Sequence, residues 1–179
     1  VVWFAKSSGT TNDKSKFLPI SKEALRDTHY RGGGDCVSLY LNRINPQSHF
    51  FSGKGLILGG SHSPNLNSNK SLVGDLSAIL MENLNPLVNY IRVPSKRIAL
   101  MSEWESKINT IAETTIHENV TNLSGVPSWL LALIKKILEK TGKSSLEEVW
   151  PNLEVFFHGG VSFTPYRDQY LQVIRSEKM

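Results

Sequence analysis

Residues 120–142 constrain the fold more than any other stretch. Val120-Thr121-Asn122-Leu123-Ser124 reads as a short strand stopped at Gly125. After Val126-Pro127-Ser128, apolar side chains recur at helical spacing. Trp129, Leu130, Leu133, Ile134, Ile137 and Leu138 share one face, and Lys135, Lys136, Glu139 and Lys140 share the other. Pro127 suits the first turn of that helix and Gly142 its C-terminal cap. A strand that runs through a small-residue turn into an amphipathic helix has to bury the helix stripe against a sheet. The pattern returns at 153–174. Leu153-Glu154-Val155-Phe156-Phe157 reads as a buried strand and His158-Gly159-Gly160-Val161-Ser162-Phe163 as its turn. Pro165 then opens a helix with Tyr166, Tyr170, Leu171 and Ile174 on one side. Strands alternating with helices predict an α/β fold: a mixed, largely parallel sheet with flanking helices.

The remaining segments fit this frame. Val1-Val2-Trp3-Phe4-Ala5 is a strand-like run that feeds Ser7-Ser8-Gly9-Thr10-Thr11, and two lysines, Lys14 and Lys16, follow. Ser21 is placed to cap a helix carrying Ala24, Leu25, Thr28 and His29. Gly32-Gly33-Gly34 predicts a kink or break, with Asp35 capping a second helix through Val37, Leu39, Tyr40 and Leu41 until Asn45-Pro46. Residues 50–60 read as a buried strand flanked by glycines, residues 61–70 as a polar surface loop, and residues 75–81 as a helix. Ser102-Glu103-Trp104-Glu105 opens a further helix, whose face is Trp104, Ile108, Ile111, Ala112 and Thr115.

In parallel sheets, ligands sit beyond the carboxyl ends of the strands. Three predicted strand ends carry small or polar turns, at residues 7–11, 125–129 and 158–163. If the strands are neighbours, these turns line one crevice. The first is suited to a polyphosphate. Its glycine lets the backbone approach an anion, its N–H and hydroxyl groups donate, and a lysine supplies charge. It lacks the Walker A spacing, and a solvated turn between strands accounts for it equally well. His158, beside Gly159-Gly160, is the histidine placed for catalysis, against the competing reading of a simple turn residue. No Cys/His or H-E-x-x-H spacing points to a metal site, and no G-x-S-x-G elbow is present.

Composition narrows the partners. A hydrophobic content of 40% over 179 residues suits a globular domain with a substantial core. The formal charge is only +4 and the lysines are scattered, so no basic stripe points to nucleic acid. The one cysteine, Cys36, excludes an internal disulfide and reads as a small core residue in a reducing, cytoplasmic setting. No apolar run is long enough to cross a membrane, so none is expected as a partner.

Taken together, KSSGTTNDKSKFLPIS, HYRGGGD, FFSGKGLILGGS, SGVPSWLLALI and WPNLEVFFHGGVSFTPYRDQY resemble the auxin-responsive Gretchen Hagen family of acyl-acid amido synthetases, within the adenylate-forming superfamily. The resemblance runs the length of the chain and is to bacterial members. It implies part of a large N-terminal ATP- and acyl-binding domain. It further implies activation of a small-molecule carboxylic acid with ATP and Mg2+ to an acyl-adenylate, and displacement of AMP by an amino acid to give an amide. On that basis Ser7, Ser8, Gly9, Thr10 and Thr11 would hold the ATP phosphates, with Lys16 as the signature lysine. Gly159, Gly160, Val161 and Ser162, next to His158, would lie against the nucleotide. Val126, Trp129 and Leu130 would border the acyl pocket. Asn12-Asp13 departs from the glycine often found after this signature. The family's Tyr-x-x-Ser-Glu element, its ribose-binding Asp and its C-terminal lid have no counterpart in the 179 residues, which therefore read as a fragment. A non-catalytic nucleotide- or acyl-binding module and an acyl-CoA ligase-type enzyme are the alternatives.

Overall fold

The computed structural model describes residues 3–6, 16–64 and 71–174. It forms two compact units, Val1–Ser48 with Gly60–Leu84, and His49–Gly59 with Asn85–Met179. Strands and helices alternate as the sequence predicts, but the strands divide between two sheets rather than one.

The first unit holds a mixed sheet of β1 (Trp3–Lys6), β2 (Phe17–Ile20), β4 (His62–Pro64) and β5 (Leu72–Gly74) in the order β2-β1-β5-β4. β1 pairs antiparallel with β2 and parallel with β5, and β4 pairs antiparallel with β5. The strand at His62–Pro64 corrects the expectation of a loop across residues 61–70. Ala5, Leu25 and Ile79 form a small core, with Trp3, Ile20, Tyr30, Leu76 and Leu80 packed around it. Asp75 opens helix α2 (Leu76–Glu82), and its carboxylate accepts the Ser61 N–H at 3.1 Å. That bond joins the turn before β4 to the start of α2.

The predicted break at the glycine triplet does not occur. Ser21 Oγ accepts the Ala24 N–H at 3.1 Å, as its capping role requires. A π-helical segment (Ala24–Tyr30) then passes directly into α1 (Arg31–Leu39), and a second π-helical turn (Tyr40–Ile44) closes the run. Glycine weakens a helix by only about 1 kcal/mol per residue relative to alanine and removes no hydrogen bond, so flanking turns can carry a helix through it. α1 has no buried residue, and Cys36 is exposed rather than in a core.

The second unit is built on an all-parallel sheet of β3 (Lys54–Leu58), β6 (Arg92–Val93), β7 (Val120–Gly125) and β8 (Val155–His158), ordered β6-β3-β7-β8. A short 3-10 turn, Phe50–Ser52, precedes β3, so the predicted strand begins later than its apolar residues do. Short α3 (Lys96–Ala99), then α4 (Trp104–Thr115), α5 (Pro127–Thr141) and α6 (Arg167–Val173) supply the helices. Their apolar stripes join Leu56, Leu58, Val93 and Leu123 in one core, in which Ile111, Leu130, Leu133 and Ile137 are fully buried. Pro127 occupies the first turn of α5, and Gly142 ends it in the left-handed conformation at φ 66°. Trp150 is buried with its indole N–H on the Thr115 carbonyl at 3.0 Å, which fixes the chain entering β8 against the end of α4. Among the described residues, no helix is long and apolar enough to cross a membrane.

Candidate functional site

The carboxyl edge of the parallel sheet is set by registry. Leu58 of β3 lies opposite Gly125 of β7, and Gly125 lies opposite His158 of β8. The turns that leave β7 and β8 therefore start side by side. Gly125 permits this closeness: a Cβ there would fall 2.7 Å from the Leu58 carbonyl oxygen and 3.1 Å from Leu130 Cδ1. Gly160 takes φ 84°, a left-handed backbone that favours glycine, and a Cβ on it would stand 3.2 Å from Val126 Cγ2. The two turns thus touch through Val126 and Gly160. Gly159 has open space where a side chain would be, so a ligand can approach its backbone directly.

Aromatic rings back this edge. His158 is exposed, and its ring stacks on Phe163 at 4.7 Å and 25°. Phe156 tilts against His158 at 5.4 Å and stacks on Tyr170 at 5.4 Å and 27°. The Tyr170 hydroxyl donates to the Pro127 carbonyl at 2.8 Å, and burial pushes its phenol well above the usual range, so it remains a donor. Trp129 is half-buried with its ring edge-on to Trp104 at 5.6 Å, while Leu130 lies wholly within the core. Beyond β3, the Gly59 carbonyl accepts from the buried Lys107 ammonium at 2.6 Å. Neither Tyr170 nor Lys107 stands out in the sequence. A tyrosine on an apolar helix face reads as packing, and a lysine at the edge of an amphipathic stripe reads as solvated.

Val126, Trp129, Leu130, His158, Gly159, Gly160, Val161 and Ser162 all belong to the second unit, where the structure assembles the β7 and β8 turns. Ser7, Ser8, Gly9, Thr10 and Thr11, expected to hold the ATP phosphates, lie outside the described residues. Lys16 is described: it is exposed and immediately precedes β2 in the first unit. The pair Lys6↔Phe17 closes β1 onto β2, so Lys16 enters next to the exposed Lys6. β1 belongs to the mixed sheet and β7 and β8 to the parallel one, so the three strands are not neighbours in one sheet. Among the described residues, no group of three or more His, Cys, Asp or Glu is placed to hold a metal ion.

Comparison with solved structures finds the same fold in an acyl acid amido synthetase, AtGH3.15, in complex with 2,4-DB. The identity is 15% and the TM-score 0.67, over 96% of this chain and 38% of that one. A second GH3.15 acyl acid amido synthetase structure matches at 14% identity and a TM-score of 0.61, over 97% of this chain and 40% of the other. No curated protein matches by sequence. The chain spans about 38% of the length of the first of these relatives. The model of the GH3 family N-terminal domain matches residues 1–179 in full. With its strand-end motifs set in that fold, the chain belongs to the GH3 family, the amido synthetase family that its sequence resembles.

Proposed function

We propose that these residues form part of the N-terminal domain of an acyl-acid amido synthetase, which activates a carboxylic acid with ATP and joins it to an amino acid. The observation that carries this reading is the adjacency of the β7 and β8 turns, with Gly160 against Val126 and the open backbone of Gly159 beside them. Exposed glycine backbone, the exposed Ser162 hydroxyl and a histidine stacked on an aromatic ring suit a flat, polar nucleotide. Val126 and Trp129 offer the apolar side on which an acid would rest.

In this reading Ser7, Ser8, Gly9, Thr10, Thr11 and Lys16 hold the ATP phosphates. N–H, hydroxyl and ammonium donors stabilise the charge that spreads over the α-phosphate and departing pyrophosphate as the acid carboxylate attacks. His158 and Gly159 to Ser162 orient the nucleotide against the acid, which raises the effective concentration of the two reactants. Mg2+, when bound, offsets phosphate charge.

The test is acid-dependent ATP–pyrophosphate exchange by the full-length enzyme, followed by product analysis with amino acids or CoA. An amide supports the amido synthetase, and a thioester would assign it to the CoA ligase class. Binding without exchange would make it a non-catalytic module. Lys16→Ala and Thr10→Ala should each lower exchange about tenfold or more, from loss of charge-assisted contacts. Unchanged exchange in both would remove the loop from the mechanism.

A further inference from the structure

Tyr170 is fully buried on α6, yet it carries a polar hydroxyl into the core. Packing alone would be met by phenylalanine. The hydroxyl donates to Pro127 O at 2.8 Å, in the first turn of α5 and one residue from Val126. A helical carbonyl has two lone pairs, so this bond adds to the helix rather than competing with it. The Tyr170 ring stacks on Phe156 in β8 and meets Phe163 at 5.1 Å and 45°. Phe163 in turn stacks on His158. One buried side chain thus reaches the turn after β7 through a hydrogen bond, β8 itself through the Phe156 ring, and the turn after β8 through the Phe163 ring.

We infer that Tyr170 is a positioning residue, fixing the Val126–Gly160 approach on which the proposed site depends. The inference rests on the proposed function for its kinetic consequence, and on the contacts alone for its structural one. Its two links are separable. Tyr170→Phe cuts the bond to Pro127 and keeps the rings. Phe163→Leu cuts the stack on His158 and keeps the hydroxyl.

The experiment compares the two variants in the full-length enzyme by steady-state kinetics and amide hydrogen exchange. Tyr170→Phe should raise the KM for the acid about fivefold, with the KM for ATP changed less than about twofold, as loss of one buried hydrogen bond implies. Phe163→Leu should reverse the pattern, raising the KM for ATP by about threefold or more. A residue that only stabilises the fold would leave both KM values unchanged well below the unfolding temperature. In hydrogen exchange, Tyr170→Phe should speed amides of residues 128–131, with α4 unaffected. If the wild type shows no exchange of pyrophosphate, the proposed function falls and the hydrogen-exchange comparison decides the positioning role by itself. Unchanged amide protection in Tyr170→Phe, or identical kinetic effects of the two variants, would overturn it.

Discussion

Arg92 lies on β6 with 4% of its surface exposed, and its Nε and Nη2 both donate to Asn89 Oδ1, at 3.0 and 2.7 Å. Its Nη1 is buried with no hydrogen-bond partner among the described residues, and burial pushes the guanidinium below its usual range. A buried charge without a carboxylate costs more in desolvation than one neutral acceptor returns. Arg92→Met should therefore raise stability by about 1 kcal/mol or more, measured by denaturant unfolding. A loss of stability would mean that the charge has a counterpart in the working protein. At this scale the sequence is a poor guide. A lone arginine before Val-Pro carries no periodicity that reports burial, and Cys36 reads as core from residue type although it is exposed.

Among the elements, α1 and α4 show what controls a helix boundary. Gly33 lies inside α1, and a Cβ on it would meet nothing within 4 Å. Gly33→Ala should therefore stabilise the protein by about 0.5–1 kcal/mol by restricting the unfolded chain. If stability rises as expected while exchange activity falls, the triplet is kept for flexibility. α4 is opened by Glu103, whose carboxylate accepts the Glu105 and Ser106 N–H groups at 3.0 and 2.6 Å. A side-chain hydrogen bond from Ser106, together with those N–H bonds, holds its carboxyl below the ordinary value of 4.5. A lowered folded value means that the cap contributes above the ordinary value and is lost as pH falls through the lower one. The stability gap between wild type and Glu103→Gln should therefore be widest near neutral pH and close as pH falls through the carboxyl's lowered value. A constant gap would exclude the ionised cap. α4 and α5 were legible because their apolar stripes run for three turns or more, with Pro127 and Gly142 marking the ends of α5. α3 and β4 span four and three residues, too short for a period to develop.

For the whole molecule, alternation of strand and helix predicted the α/β class, and the parallel sheet follows it closely. The division into two sheets was not legible, because antiparallel pairing of β1 with β2 depends on contacts that no local pattern records. The candidate site was half legible: the β7 and β8 turns meet as predicted, while the aromatic backing from Tyr170 emerges only in three dimensions.

The order in which β3 meets its partners bears on how the protein is made. β3 sits at the centre of its sheet, but β6 and β7 begin 34 and 62 residues after β3 ends. Each intervening stretch must leave the ribosome before that edge of β3 can be covered. The nascent chain therefore carries Leu56, Ile57 and Leu58 unpaired through much of its synthesis, a state open to chaperone capture and to misassembly.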